Sequence, residues 1–302
     1  MLTLDYLHHL KETHQAALNV SVSEFAIGNQ WFNFNTRPVI MGVVNLSSES
    51  WYRESVCLNA EMAIQRSLVL QAQGADIIDI GAESTLAHAQ RIESVNQESQ
   101  LLPVLAALKN EGILTSVETY YPTVVDVCLK AGANLINLTG TDHHSEIYRQ
   151  IAEYDAGVII CYVQGKNVRE VENFDWGLDP IDLMYDYFAR EIELATQLGV
   201  QKIFIDAGLG FYYKNLQDSA IRIRFQMQSF LNSFRLRRLG FPVCNALPHA
   251  FEYFGEEVRS AEGFFAVLAA LGKTDLFRTH EVPKIKAVLN TMAVFEKNPT
   301  GF

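Results

Sequence analysis

Cysteine is scarce in this sequence, and no two cysteines are set two residues apart: Cys57, Cys128, Cys161 and Cys244 each stand alone. That spacing argues against a zinc ribbon or a dithiol redox motif. Apolar neighbours in predicted strands and helices point instead to buried free thiols. Basic residues are also in deficit, with 24 Lys and Arg against 35 Asp and Glu and a net charge of -11. A nucleic-acid partner is not expected from that balance. An anionic substrate would have to be held by a local cluster of cations. No apolar run approaches the ~20 residues that span a bilayer, and residues 1–20 are too polar for the core of a secretory leader. A cytoplasmic protein with no membrane partner is therefore expected. The Gly-x-Gly-x-x-Gly turn of a dinucleotide-binding sheet is missing after the first long strand.

What is present is an alternation. Near-continuous apolar runs begin at Val39, Ala75, Leu114, Leu135, Ala156, Lys202, Pro242 and Asp275. Runs of this kind read as strands buried on both faces of a parallel sheet. Helical segments fall between and after them, near 59–74, 95–111, 122–131, 144–155, 179–199, 217–239, 258–271 and 283–296. Such a count and size match a (β/α)8 barrel, the TIM-barrel class. Ahead of it, residues 3–18 pattern as an amphipathic helix with Leu4, Leu7, Leu10 and Ala17 toward one side. Phe25 to Phe34 reads as a short hairpin around Gly28. The expected organisation is an N-terminal helix and hairpin extension over residues 1–37 and one barrel over 38–302.

In a barrel of this class the ligand site lies at the carboxyl ends of the strands, and the predicted strands end in polar residues. Glu118, Asn137 and Asp206 close the third, fourth and sixth. A carboxylate can accept two parallel N–H bonds from an aminopyrimidinone edge, and an amide offers one donor and one acceptor. Two acids and an amide converging in an apolar mouth would select a flat heterocycle. Arg278 and His280 end the eighth strand two residues apart, so they share a face. Asn45 and Ser47 end the first strand, its neighbour in a closed barrel. Together they suggest an anion site, since Arg binds phosphate through two donors at once and the loop after the eighth strand is a frequent phosphate site in barrels.

The motifs resemble those of the dihydropteroate synthase family, in order across residues 38–282. Met41-Gly42-Val43-Val44-Asn45-Leu46-Ser47 resembles the family's opening motif, and Ile78 to Thr85 its second. Ser116-Val117-Glu118-Thr119 is similar to Ser-Val-Asp-Thr, and Leu135-Ile136-Asn137 to Ile-Ile-Asn. Ile205 to Phe211 resembles Asp-Pro-Gly-x-Gly-Phe, and Phe277 to Val282 resembles Val-Arg-Val-His-Asp-Val. The resemblance implies a transferase of folate biosynthesis that joins 6-hydroxymethyl-7,8-dihydropterin pyrophosphate to 4-aminobenzoate. Glu118, Asn137 and Asp206 would read the pterin, with Gln164 at the end of the fifth strand beside them. Asn45, Arg278 and His280 would hold the pyrophosphate, with Asn45 a ligand of Mg²⁺. Ser47, Ser84 and Thr85 would line the anion end. Homodimers are common in the family through late helices, and Phe264, Phe265, Val267 and Leu268 could form such a face.

The chain also departs from the family. Leu86-Ala87-His88 stands where Arg-Pro-Gly is usual, and Pro248-His249-Ala250 where Ser-Arg-Lys is usual. The family's lysine there bonds the pterin. Lys214 and Lys166 are the lysines placed to substitute for it. These departures keep two alternatives open. One is a pterin-binding paralogue without synthase activity. The other is a methyltetrahydrofolate-dependent methyltransferase, which shares the pterin pocket but needs no pyrophosphate site and would require a corrinoid partner.

Overall fold

The structure, a computed structural model, describes residues 1–47, 55–83, 92–171, 173–175, 179–210 and 213–297. Its centre is a closed barrel of parallel strands: β3 (Val39–Asn45), β4 (Ile77–Gly81), β5 (Thr115–Thr119), β6 (Leu135–Leu138), β7 (Gly157–Cys161), β8 (Lys202–Asp206), β9 (Val243–Ala246) and β10 (Leu276–Thr279). Each pairs with its successor, and β10 closes on β3 with Arg278 opposite Met41. All eight expected strands are therefore found, and the (β/α)8 class with them. Nearly every strand residue is buried, because the outer face meets helices and the inner face fills the barrel.

The helices start and stop where local chemistry directs. α3 (Ala60–Gln73) is capped by the Asn59 side chain and ends at Gly74, whose φ of 111° only glycine adopts without strain. α4 (Ser94–Asn110) runs through Pro103, held by the buried Leu101, Val104, Leu105 and Leu108. α5 (Pro122–Ala131) and α7 (Pro180–Gln197) open on proline, which suits the first helical position. α6 (His144–Glu153) lies between them, and α10 (Arg259–Leu271) and α11 (Val282–Lys297) complete the ring. One expectation is corrected here. The segment 217–239 is not one helix but α8 (Ser219–Asn232), capped by Asp218, followed by a tight 3₁₀ stretch over 233–239 that ends at Gly240. A short α9 (Phe251–Phe254) follows β9.

The amino-terminal residues divide into α1 (Leu4–Thr13) and α2 (Gln15–Leu18), broken at His14. Ala17 is buried, whereas Leu4 is exposed, so the expected apolar side is narrower than its sequence pattern. β1 (Phe25–Ile27) and β2 (Gln30–Phe32) form the expected hairpin. It covers the amino end of the barrel: Phe25 and Phe34 meet Phe204 of β8 with ring centroids 5.3 and 5.1 Å away. Phe25, Ile27, Phe32 and Phe34 belong to the same apolar core as the strands.

Candidate active site

The carboxyl ends of the strands open onto a cleft, the place where barrels of this class bind their ligands. Glu118, Asn137, Cys161, Asp206, Arg278 and His280 line it, with Pro248 and His249 at the β9 rim. The strand register explains the convergence, since Glu118 lies opposite Asn137 and Cys161 opposite Asp206 across neighbouring strands. Glu118, Asn137 and Asp206 thus line one hollow.

Arg278 lines the cleft and is held by acids of β4 and β5: Nε donates to Asp79 Oδ2 at 2.7 Å and Nη2 donates to Glu118. Asp79, on β4, is fully buried and also accepts from Asn137 Nδ2 at 3.2 Å. Asn137 Oδ1 in turn accepts from the Cys161 thiol at 3.4 Å. The result is a buried network in which one guanidinium faces several acids. Burial is the main force raising the Glu118 carboxyl to about 7; the neighbouring Asp79, Asp206 and Glu83 push the same way, against Arg278. Burial also raises Asp206, although the Gly208 N–H donates to its Oδ1 at 2.7 Å. A guest with N–H donors would relieve this crowding of acceptors.

His280 lines the cleft while its Nδ1 faces Glu262 Oε1 at 3.0 Å, so a carboxylate orients the ring. Glu262, from α10, is buried and also accepts from Thr279. Asn45 lies beside Gly81, where its Oδ1 and Glu118 Oε2 both border the space over that glycine, and its Nδ2 donates to Ser55 Oγ at 2.6 Å. Ser47 is buried near it at the end of β3. Gln164 is not brought to the cleft among the described residues. Its Nε2 donates to Tyr162 Oη at 2.6 Å and its Oε1 accepts from Asp175 N at 2.5 Å, which pins the loop after β7. Lys166 lies in that same loop. Ser84 and Thr85 lie outside the described residues, as does the side chain of Lys214.

Several residues were not anticipated as part of the site. Asp79 falls within the Ile78 to Thr85 motif but carried no assigned role. Glu83 is tied to Arg169 Nη1 at 2.7 Å and accepts from Tyr120 Oη at 2.6 Å, fastening the ends of β4 and β5 to the β7 loop. Arg222 and Gln226 reach the cleft from α8, where reading the strand ends alone could not find them.

A family model described as pterin binding enzyme matches residues 41–243. The chain belongs to the pterin-binding enzyme family. Dihydropteroate synthase from Synechocystis sp. is 28% identical over 269 residues, covering 85% of this chain and 89% of the relative. Dihydropteroate synthase from Clostridium beijerinckii is 28% identical over 224 residues, covering 72% and 76%. The solved structure of Burkholderia cenocepacia dihydropteroate synthase complexed with 7,8-dihydropteroate matches with a TM-score of 0.77 at 22% identity. It covers 92% of this chain and 98% of that one, a likeness of fold. Within this family frame, the cleft at the strand ends is where the ligand is to be sought.

Among the described residues, no cluster of three His, Cys, Asp or Glu could hold a metal ion. No helix among them is long and apolar enough to cross a membrane. All four cysteines are buried and free, as expected.

Proposed function

We propose that this chain is a dihydropteroate synthase, condensing 6-hydroxymethyl-7,8-dihydropterin pyrophosphate with 4-aminobenzoate. The observation that supports the reading is that Glu118, Asn137 and Asp206 line one cleft with Arg278. Asp206 accepts from the ring N–H and amino group, Asn137 matches a neighbouring donor and acceptor, and Glu118 accepts once ionised. The bond between the pterin methylene carbon and the pyrophosphate oxygen breaks, and pyrophosphate leaves with both electrons. The aniline nitrogen of 4-aminobenzoate then bonds to that carbon and loses a proton. Arg278 and His280 face the charge that develops on the departing oxygen, which is where fixed donors act most strongly.

Mg²⁺ fits the residues only as an ion shared with the pyrophosphate. Asn45 supplies one hard oxygen, and Mg²⁺ is commonly held by one or two protein oxygens plus phosphate and water. Bound there, it would neutralise charge on the leaving group. Ser47, Ser84 and Thr85 are assigned to the anion end. Residues 38–302 form the catalytic barrel and residues 1–37 its extension, in a cytoplasmic homodimer. The exposed Phe264, Val267 and Leu271 on α10 support that assembly; Phe265 and Leu268, expected on the same face, pack inward.

The test is direct. Pure protein with Mg²⁺ and both substrates should release pyrophosphate and form dihydropteroate. Binding of the pterin pyrophosphate with no pyrophosphate release would reject the synthase and favour a pterin-binding paralogue. The second reading is motivated by Pro248-His249-Ala250 and Leu86-Ala87-His88, which lack the family's Lys and Arg.

A further inference from the structure

Arg222 and Gln226 stand one turn apart on α8, share a face, and both line the cleft. Both are buried, with 6% and 4% of their surface exposed. Arg222 Nη1 donates to the carbonyls of Leu216 at 3.4 Å and Gln217 at 3.3 Å, and Nη2 donates to Glu252 Oε1 at 2.7 Å. A guanidinium carries five N–H donors, so these three bonds hold its plane and leave donors for a ligand. Gln226 Nε2 donates to the Leu209 carbonyl at 2.8 Å, while its Oε1 is buried with no hydrogen-bond partner among the described residues. A buried acceptor left in this way beside a cavity calls for a donor from a guest.

The β9 rim opposite offers little of this chemistry. Pro248 and Ala250 have no side-chain donor. His249 is kept neutral, its pKa pushed down to about 3 by burial and by the charge of Arg222. A long cationic donor therefore enters the cleft from the helix after β8 rather than from the strand end of β9. We infer that α8 carries ligand contacts that the β9 rim lacks: Arg222 donates to the ring carbonyl oxygen of the bound pterin, and Gln226 Oε1 accepts from its exocyclic amino group. The inference rests on the pterin reading of the cleft and names the residues that give it ring specificity. Arg222 suits the task because its fork is already oriented by two carbonyls and a carboxylate. Gln226 adds an acceptor within one helical turn.

Titration calorimetry with 6-hydroxymethylpterin and with its 2,4-diamino analogue tests this. In the analogue an amino donor replaces the ring carbonyl, so nothing there can accept from Arg222. Relative to the wild type, Arg222→Met should lower the affinity ratio of the carbonyl ring over the diamino ring by about tenfold or more, the effect of losing a hydrogen bond to a charged group. Gln226→Leu should weaken both rings severalfold, because both carry the 2-amino group. Glu252→Gln loosens one of the three bonds that orient the fork but keeps the cation, and it should lower the ratio much less than Arg222→Met does. Arg222→Lys keeps the charge without the fork and should retain part of the ratio; it serves if the Met variant does not fold. A wild-type ratio in Arg222→Met, or an equal loss in Glu252→Gln, overturns the inference. Wild-type protein that binds neither ring overturns the pterin reading itself.

Discussion

At the amino ends of the strands, Phe25 and Phe34 of the hairpin close on Phe204 and shut out water. At the carboxyl ends, Asp79 and Asp206 are also buried and Glu118 and Arg278 half-buried, but Glu118, Asp206 and Arg278 line a hollow. Both ends belong to the same strands. β8 alone contributes Phe204 to one and Asp206 to the other, two residues apart and on the same side of the pleat. The base gains stability from apolar burial, which is non-directional and cumulative. The mouth gives up some of that stability, since crowded acids at Glu118 and Asp206 are held against their preference for water. The difference shows how one barrel separates the residues that keep it folded from those that meet a ligand.

The comparison breaks most visibly at the base. Phe204→Ala should cost roughly 3–5 kcal/mol of stability, the range for emptying a buried aromatic site. Denaturant unfolding measures the loss, and pterin affinity of the folded protein should be unchanged. At the mouth the signs reverse. Asp206→Asn should weaken pterin binding by roughly 1.5–3 kcal/mol while altering the unfolding midpoint much less. Calorimetry showing unchanged affinity would remove Asp206 from the role given to it.

A smaller effect comes from pH. Glu118 titrates near 7, so its carboxylate accepts ligand N–H groups above that value and loses this ability as the solution becomes more acid. Pterin affinity of the wild type should therefore fall as pH drops through about 7, and the fall should be absent in Glu118→Gln.

The smallest effect lies outside both ends. His144 Nδ1 meets Glu191 Oε2 at 2.6 Å and Nε2 meets the Gly140 carbonyl at 2.8 Å, two acceptors that ask for a doubly protonated ring. Burial alone would lower the His144 pKa, but Glu191 and the carbonyl outweigh it and the net direction is up. Glu191 moves down: burial opposes this, and the His144 bond and charge prevail. The pair thus stabilises the fold fully between the ordinary values of Glu and His. Its share is lost as pH rises through the raised His144 value, or falls through the lowered Glu191 value. His144→Gln should flatten that part of a stability-against-pH curve.

The strands were legible in the sequence because strands buried on both faces must be apolar along their length. The acids at their ends were legible because such residues have few other reasons to interrupt an apolar run. The partner of Arg278 was not. Spacing along β10 places its side chain on a face but does not say whether it turns outward to an anion or inward to Asp79. Gln164 misled for a similar reason, since a polar residue at a strand end can serve its own loop, and this one holds Asp175. Arg222 and Gln226 lay beyond a reading of strand ends, because helix residues enter the cleft only once α8 has packed.

The aromatic seal at the base also orders events in time. Phe25 and Phe34 precede Phe204 in the chain by the whole of β3, β4, β5, β6 and β7. During synthesis, the hairpin emerges long before its cover exists, and its rings stay wet until β8 arrives. The segment made early is thus buried late, and closing the base registers that most of the cylinder has been assembled.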